Sequence, residues 1–177
     1  MMKGHQQGFT ALELIVTMAI IAVLLTAGVP AFENYTLNLR MKTAMDQLQT
    51  DLNLARGHAI SHNSKTVICP TGDGNECSGQ PVWQDGWIVF TDINNDRQKQ
   101  DSEPLLKYSG ALARLNISSA SSRTSLRFYP NGSAPGSNIT FRFCDRRGAT
   151  HAGTITVSNS GRIRLQTAGS DPSANCP

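Results

Sequence analysis

Residues 9–32 read FTALELIVTMAIIAVLLTAGVPAF, and Glu13 is the only charged side chain in the run. As a helix rising 1.5 Å per residue the stretch would be about 36 Å long, enough to cross a hydrocarbon core about 30 Å thick. An uncleaved signal anchor or a secretory peptide cut near Ala27–Ala31 would account for its length and apolarity. Neither accounts for Glu13, because a carboxylate at the centre of an apolar helix costs about 2.5–3.5 kcal/mol and calls for a partner. Pro30 lacks a backbone donor and should kink or loosen the helix. Beyond it, Met41, Ala44, Met45, Leu48, Leu52, Ala55 and Ala59 recur every three or four positions, while Lys42, Asp46, Gln49, Asn53 and Arg56 fall between them. The pattern predicts that the helix continues over 33–62 with one face packed on a domain.

At 177 residues and 39% apolar content the chain can build one domain with a real core besides that helix. The formal net charge of +3 hides an asymmetry. Residues 46–103 carry four Lys/Arg against nine Asp/Glu, a net of −5, whereas residues 104–177 carry nine against two, a net of +7. A block this basic suits a polyanionic partner, although scattered basic residues also serve as a solvated face. The four cysteines show no CxxC spacing, which argues against zinc and for disulfides. Of the three possible connectivities, sequence locality favours Cys69 with Cys77 and Cys144 with Cys176, and disulfides imply an oxidising compartment.

After residue 62 the periodicity changes to short β-prone runs between polar turns. Strands are expected near 66–69, 87–91, 115–118, 125–129, 139–144, 154–158 and 162–166, with a further one possible over 105–108. The fold class is therefore α+β, with antiparallel sheets packed on one long helix and a β-rich domain over 63–177. In WQDGWIVFTD, residues 83–92, Trp87 and Val89 alternate with Ile88 and Phe90, so one face should meet the helix and the other a loop or second sheet. The acidic stretch 92–103 has partial calcium-loop spacing, but Arg97 stands where such a loop needs glycine, and a solvated turn is the simpler reading. His58 and His62 lie one helical turn apart without an HExxH pattern and are expected on an exposed helix face. No nucleophile motif or acid/base pair is visible, so no enzyme, no metal and no cofactor is expected.

The basic residues sit on strands that alternate. Ile139, Phe141 and Phe143 share a face that leaves Arg142 on the other; Leu126 and Phe128 flank an outward Arg127. After a turn at 159–161, Ile163 and Leu165 bury while Arg162 and Arg164 project. Lys107, Arg146 and Arg147 add charge nearby in sequence, and a Cys144–Cys176 bridge would steady the 145–153 loop. Burial explains the alternation but does not require arginine, whose planar guanidinium suits phosphate oxygens. Charged edge strands that only block edge pairing are the competing explanation.

The N-terminal stretch KGHQQGFTALELIVTMAIIAVLLTAGVPAF resembles that of type IV pilins and pseudopilins. The resemblance implies a leader over 1–8, cleavage after Gly8 by a prepilin peptidase, methylation of Phe9 and a filament-core helix over 9–32. It also implies that the Glu13 carboxylate meets the Phe9 amine of a neighbouring pilin, which would supply the missing partner. Gly161-Arg-Ile-Arg164, with the pilin N-terminus and GWIVFTDINND at 86–96, is similar to the FimT branch of the GspH/FimT minor pilins. That likeness implies a type IV pilin-like fold and binding of double-stranded DNA during natural transformation. Gly161 would shape the turn, Arg162 and Arg164 would contact phosphates, and Arg146 and Arg147 would be neighbours.

The resulting expectation is a minor pilin, held in the inner membrane before assembly. In the pilus, among major and minor pilins, it captures extracellular DNA through Arg127, Arg142, Arg146, Arg147, Arg162, Arg164 and Lys107. Neutralising about four phosphates would give a log–log salt slope of roughly −3.6. The rivals are a structural minor pilin or type II secretion pseudopilin that primes or caps the filament, and an adhesin for anionic polymers.

Overall fold

The computed structural model describes residues 10–166 and Cys176. Among these residues one helix, α1 (Ala11–Ser61), precedes eight strands: β1 (Thr66–Pro70), β2 (Gly86–Thr91), β3 (Leu105–Gly110), β4 (Asn116–Ser118), β5 (Leu126–Phe128), β6 (Ile139–Cys144), β7 (Gly153–Val157) and β8 (Ile163–Gln166). A short 3-10 turn, Ala149–His151, lies between β6 and β7. The described residues divide into two compact units at Leu39/Arg40.

In the first unit, α1 starts at Thr10, whose hydroxyl accepts the backbone N–H of Glu13 at 3.3 Å and so caps a terminal donor of the helix. The helix runs on through Pro30. Leu12, Ile15, Met18, Val23, Leu24 and Phe32 are all exposed, and the segment is long and apolar enough to cross a membrane by length and composition.

In the second unit the expected stripe of α1 is buried, from Met41 through Ala44, Met45, Leu48, Leu52 and Ala55 to Ala59. Two antiparallel sheets complete it, ordered β3-β2-β1-β5 and β4-β6-β7-β8. Ile68, Trp87, Val89, Leu126 and Phe128 of the first sheet and Ile117, Phe141, Phe143, Ile155 and Val157 of the second share one core with the helix stripe. Trp83 meets Phe141 edge to face at 4.7 Å, and its indole N–H donates to Ser119 at 3.0 Å. The reverse face of the first sheet is also dry: Val67, Cys69, Ile88 and Phe90 form a second cluster, with Cys77 packed against it. The helix is tied to the first sheet by the buried Asp51, which accepts hydrogen bonds from Trp87 Nε1 at 2.8 Å and Ser109 Oγ at 2.6 Å.

Two expectations need correction. The 92–103 stretch is not simply a solvated turn, because Asp92 and Glu103 are buried at its two ends. Glu103 accepts the backbone N–H groups of Ile93 at 2.8 Å and Gln100 at 3.2 Å, which closes the loop from within. His58 and His62 stack at 4.0 Å, yet only His62 is exposed; His58 is half-buried, its Nδ1 3.2 Å from the Thr66 hydroxyl. Among the described residues no three His, Cys, Asp or Glu side chains are grouped as a metal site would need. The cysteines pair as Cys69–Cys77 and Cys144–Cys176.

Candidate nucleic-acid interface

The site is built on the second sheet. Between β7 and β8 the chain turns tightly: the Gly161 N–H donates to the Ser158 carbonyl at 2.8 Å, and the Ser158 N–H to that of Arg162 at 3.1 Å. Gly161 has φ +76°, a left-handed conformation that glycine adopts without a Cβ penalty. From there Ile163 and Leu165 pack on the core and leave Arg162 and Arg164 exposed. The register puts Arg164 opposite Thr156, and Thr156 opposite Thr140 of β6; one step along, Arg142 lies between Thr154 and Ser118. Hydroxyl pairing of Thr140 with Thr156 at 3.2 Å and of Thr154 with Gln166 at 3.1 Å orders the face between the arginines. None of these four strands carries an acidic residue. Arg142, Arg162 and Arg164 thus share the outer face of one sheet and have no ion pair among the described residues.

The adjoining loop is fastened at Cys144, whose disulfide to Cys176 packs with Ala152. Arg146 is exposed there. Arg147 instead folds back on Asp145, with Nη2 2.6 Å from Oδ2 and Nε 3.1 Å from both carboxylate oxygens. Burial alone would raise the Asp145 carboxyl, but hydrogen bonds from the Arg147 side chain and backbone, with its charge, outweigh burial and hold the carboxyl below its ordinary value. The charge of Arg147 is therefore largely offset.

Two expected contributors are not brought to this face. Arg127 does alternate away from Leu126 and Phe128, but it belongs to the first sheet, and the side it points to is covered. Its Nη1 lies 3.2 Å from Asp92 Oδ2, its Nη2 3.2 Å from the Tyr129 hydroxyl, and its side chain is only 11% exposed. Lys107 is exposed on β3, at the far edge of that same sheet, beside Asp46 and Asp51 of α1. Conversely, Arg123 lies in the loop after β4, where no alternation marks it, and lines a groove with Arg142, Asn138, Thr140 and Thr156. Of the expected processing residues, Glu13 lies in the first turn of α1, while Gly8 and Phe9 fall outside the described residues.

Residues 44–161 match the family described as type II transport protein GspH, and residues 3–29 match the prokaryotic N-terminal methylation motif. Prepilin peptidase-dependent protein D of Escherichia coli is 49% identical over 45 residues, 25% of this chain; that match spans 29% of the relative's length. Type IV major fimbrial protein FimA of Dichelobacter nodosus is 29% identical over 130 residues, covering 67% of this chain and 76% of FimA. The fold is that of the type IV minor pilin FimU of Pseudomonas aeruginosa, with a TM-score of 0.59 at 22% identity over 75% of this chain and 92% of FimU. It is also similar to the minor pseudopilin EpsH of the Vibrio cholerae type 2 secretion system, with a TM-score of 0.51 at 11% identity over 72% of this chain and 97% of EpsH. With the family match extending over more than half of its residues, the chain belongs to the GspH family and has the type IV pilin-like fold of minor pilins and pseudopilins.

Proposed function

We propose that this pilin is cleaved after Gly8 and methylated at Phe9 by a prepilin peptidase, leaves the inner membrane for a type IV pilus with other pilins, and captures extracellular double-stranded DNA there for natural transformation. The observation that carries the DNA reading is the outer face of the second sheet. Arg142 of β6, Arg164 of β8 and Arg162, which immediately precedes β8, are displayed there, and none of the paired strands β6, β7 and β8 contains an acidic residue. Guanidinium groups on a rigid sheet hold phosphates bidentately at a low ordering cost. Contacts of this kind position a duplex without reading its sequence, so binding is electrostatic and indifferent to base order.

Three neutralised phosphates give a log–log salt slope of about −2.7. The test titrates the full chain, in non-ionic detergent, into a labelled short duplex at several salt concentrations beside Arg162→Gln/Arg164→Gln. The slope should fall in magnitude by about 1.8 in the variant, with weaker binding throughout. Absence of binding, or an unchanged slope, would instead support a filament-priming or capping role, which the fold shared with FimU and EpsH accommodates equally well. An anionic-polymer adhesin would bind heparin in preference to the duplex.

A further inference from the structure

A groove of about 490 Å³ crosses the outer face of the second sheet, between the loop that follows β4 and the facing residues of β6 and β7. We propose that this groove seats a phosphate of the DNA backbone between Arg123 and Arg142. Arg123 would then be a further DNA-contacting residue that carries the contact from β8 across the sheet toward its β4 side. The inference rests on the DNA-binding reading above.

Arg123 differs from the neighbouring arginines in what holds it. Its Nη1 donates to the Gly136 carbonyl at 3.3 Å and its Nη2 to Asn138 Oδ1 at 3.2 Å, both neutral acceptors. The guanidinium is thereby aimed without its charge being cancelled, whereas Arg127 and Arg147 are each paired with a carboxylate. The backbone beneath it is fixed as well, since the Arg123 N–H donates to the Ala120 carbonyl at 2.7 Å and Ser119 Oγ donates to the Arg123 carbonyl.

The groove wall has the matching chemistry. Ser122, Thr140, Thr156 and Ser158 line it with hydroxyls, of which Thr140 and Thr156 bond each other at 3.2 Å and so leave one donor between them, and none of the lining residues is acidic. Continuity with Arg164 of β8 follows from register. Thr156, in the groove wall, faces Thr140 on one side and Arg164 on the other, so the groove and Arg164 are separated by about one strand spacing of 4.8 Å. A phosphate backbone passing Arg164 toward Arg123 therefore stays in contact with donors.

The experiment repeats the duplex titration with the full chain in detergent, using Arg123→Gln, Arg123→Lys and Ser122→Glu, with circular dichroism as the check on folding. For Arg123→Gln binding should weaken several-fold at low salt while the salt slope falls in magnitude by less than about 0.9, because Arg142 still faces the shared phosphate, and Arg123→Lys should keep most of the affinity. Ser122→Glu tests the same groove from an exposed position that should not endanger the fold, and it should weaken binding several-fold at low salt. If Arg162→Gln/Arg164→Gln weakens binding while Arg123→Gln and Ser122→Glu keep the parent slope and affinity, the groove assignment fails and the DNA-binding reading stands. If the parent chain binds no duplex at all, both fall together.

Discussion

A β-carbon placed on Gly161 would stand 1.9 Å from the carbonyl oxygen of Gly132. That oxygen already accepts a hydrogen bond from Arg56 Nε at 2.9 Å, and the Ala134 N–H next to it donates to Asn159 at 2.8 Å. The β7–β8 turn is thus seated on the loop leaving β5 and on α1, and glycine is needed there for space as well as for its positive φ.

Substituting Gly161 should therefore cost stability before it affects any ligand. Gly161→Ala meets both a left-handed backbone penalty and a steric clash, and a loss of about 2–4 kcal/mol is expected. Chemical denaturation measures it directly; a midpoint equal to that of the parent would mean that the turn relaxes freely away from Gly132.

Arg127→Gln should behave unlike the changes at Arg162 and Arg164. Removing Arg127 leaves the Asp92 carboxylate, whose side chain is fully buried, without its ion-pair partner, and a loss of about 3 kcal/mol is expected. The salt slope of duplex binding should stay at the parent value, and Asp92→Asn added to Arg127→Gln should recover part of the stability. A smaller slope for the folded single variant would place Arg127 in the interface after all.

Acidification should destabilise the fold through His58. Burial first, and then the neighbouring His62, hold this imidazole below the ordinary histidine value of about 6.5. Between the folded and unfolded values the unfolded chain binds more protons, so stability rises with pH. His58 makes its full contribution above about 6.5, and that contribution is lost as pH falls through the folded value. Denaturation midpoints across this window should climb with pH in the parent and climb less in His58→Gln; parallel curves would assign the dependence to other groups.

Much of this architecture was legible because it is periodic. The stripe from Met41 to Ala59 and the alternation of Ile163 and Leu165 with Arg162 and Arg164 state directly which side is buried. Alternation says which face a residue takes, however, and not what covers that face. Arg127 faces away from Leu126 and Phe128 as expected and still ends under the 92–103 loop, because Asp92 draws that loop across the sheet. Asp51 falls on the edge of the buried stripe, three residues after Leu48 and four before Ala55, whereas the exposed Asp46 faces away; periodicity marks the position, but only the distant Trp87 and Ser109 explain why a carboxylate is buried there. Arg123 belongs to a loop, where its orientation depends on a carbonyl and an amide supplied by Gly136 and Asn138.

The pairing of all four cysteines has a practical consequence for testing whether the groove is filled when duplex is added. A cysteine introduced at exposed Ser122 would be the single reactive thiol of the protein, so a maleimide dye could be attached there without removing either native bridge. Its emission would then report occupancy of the space beside Arg123 in real time, on individual filaments as well as in bulk solution.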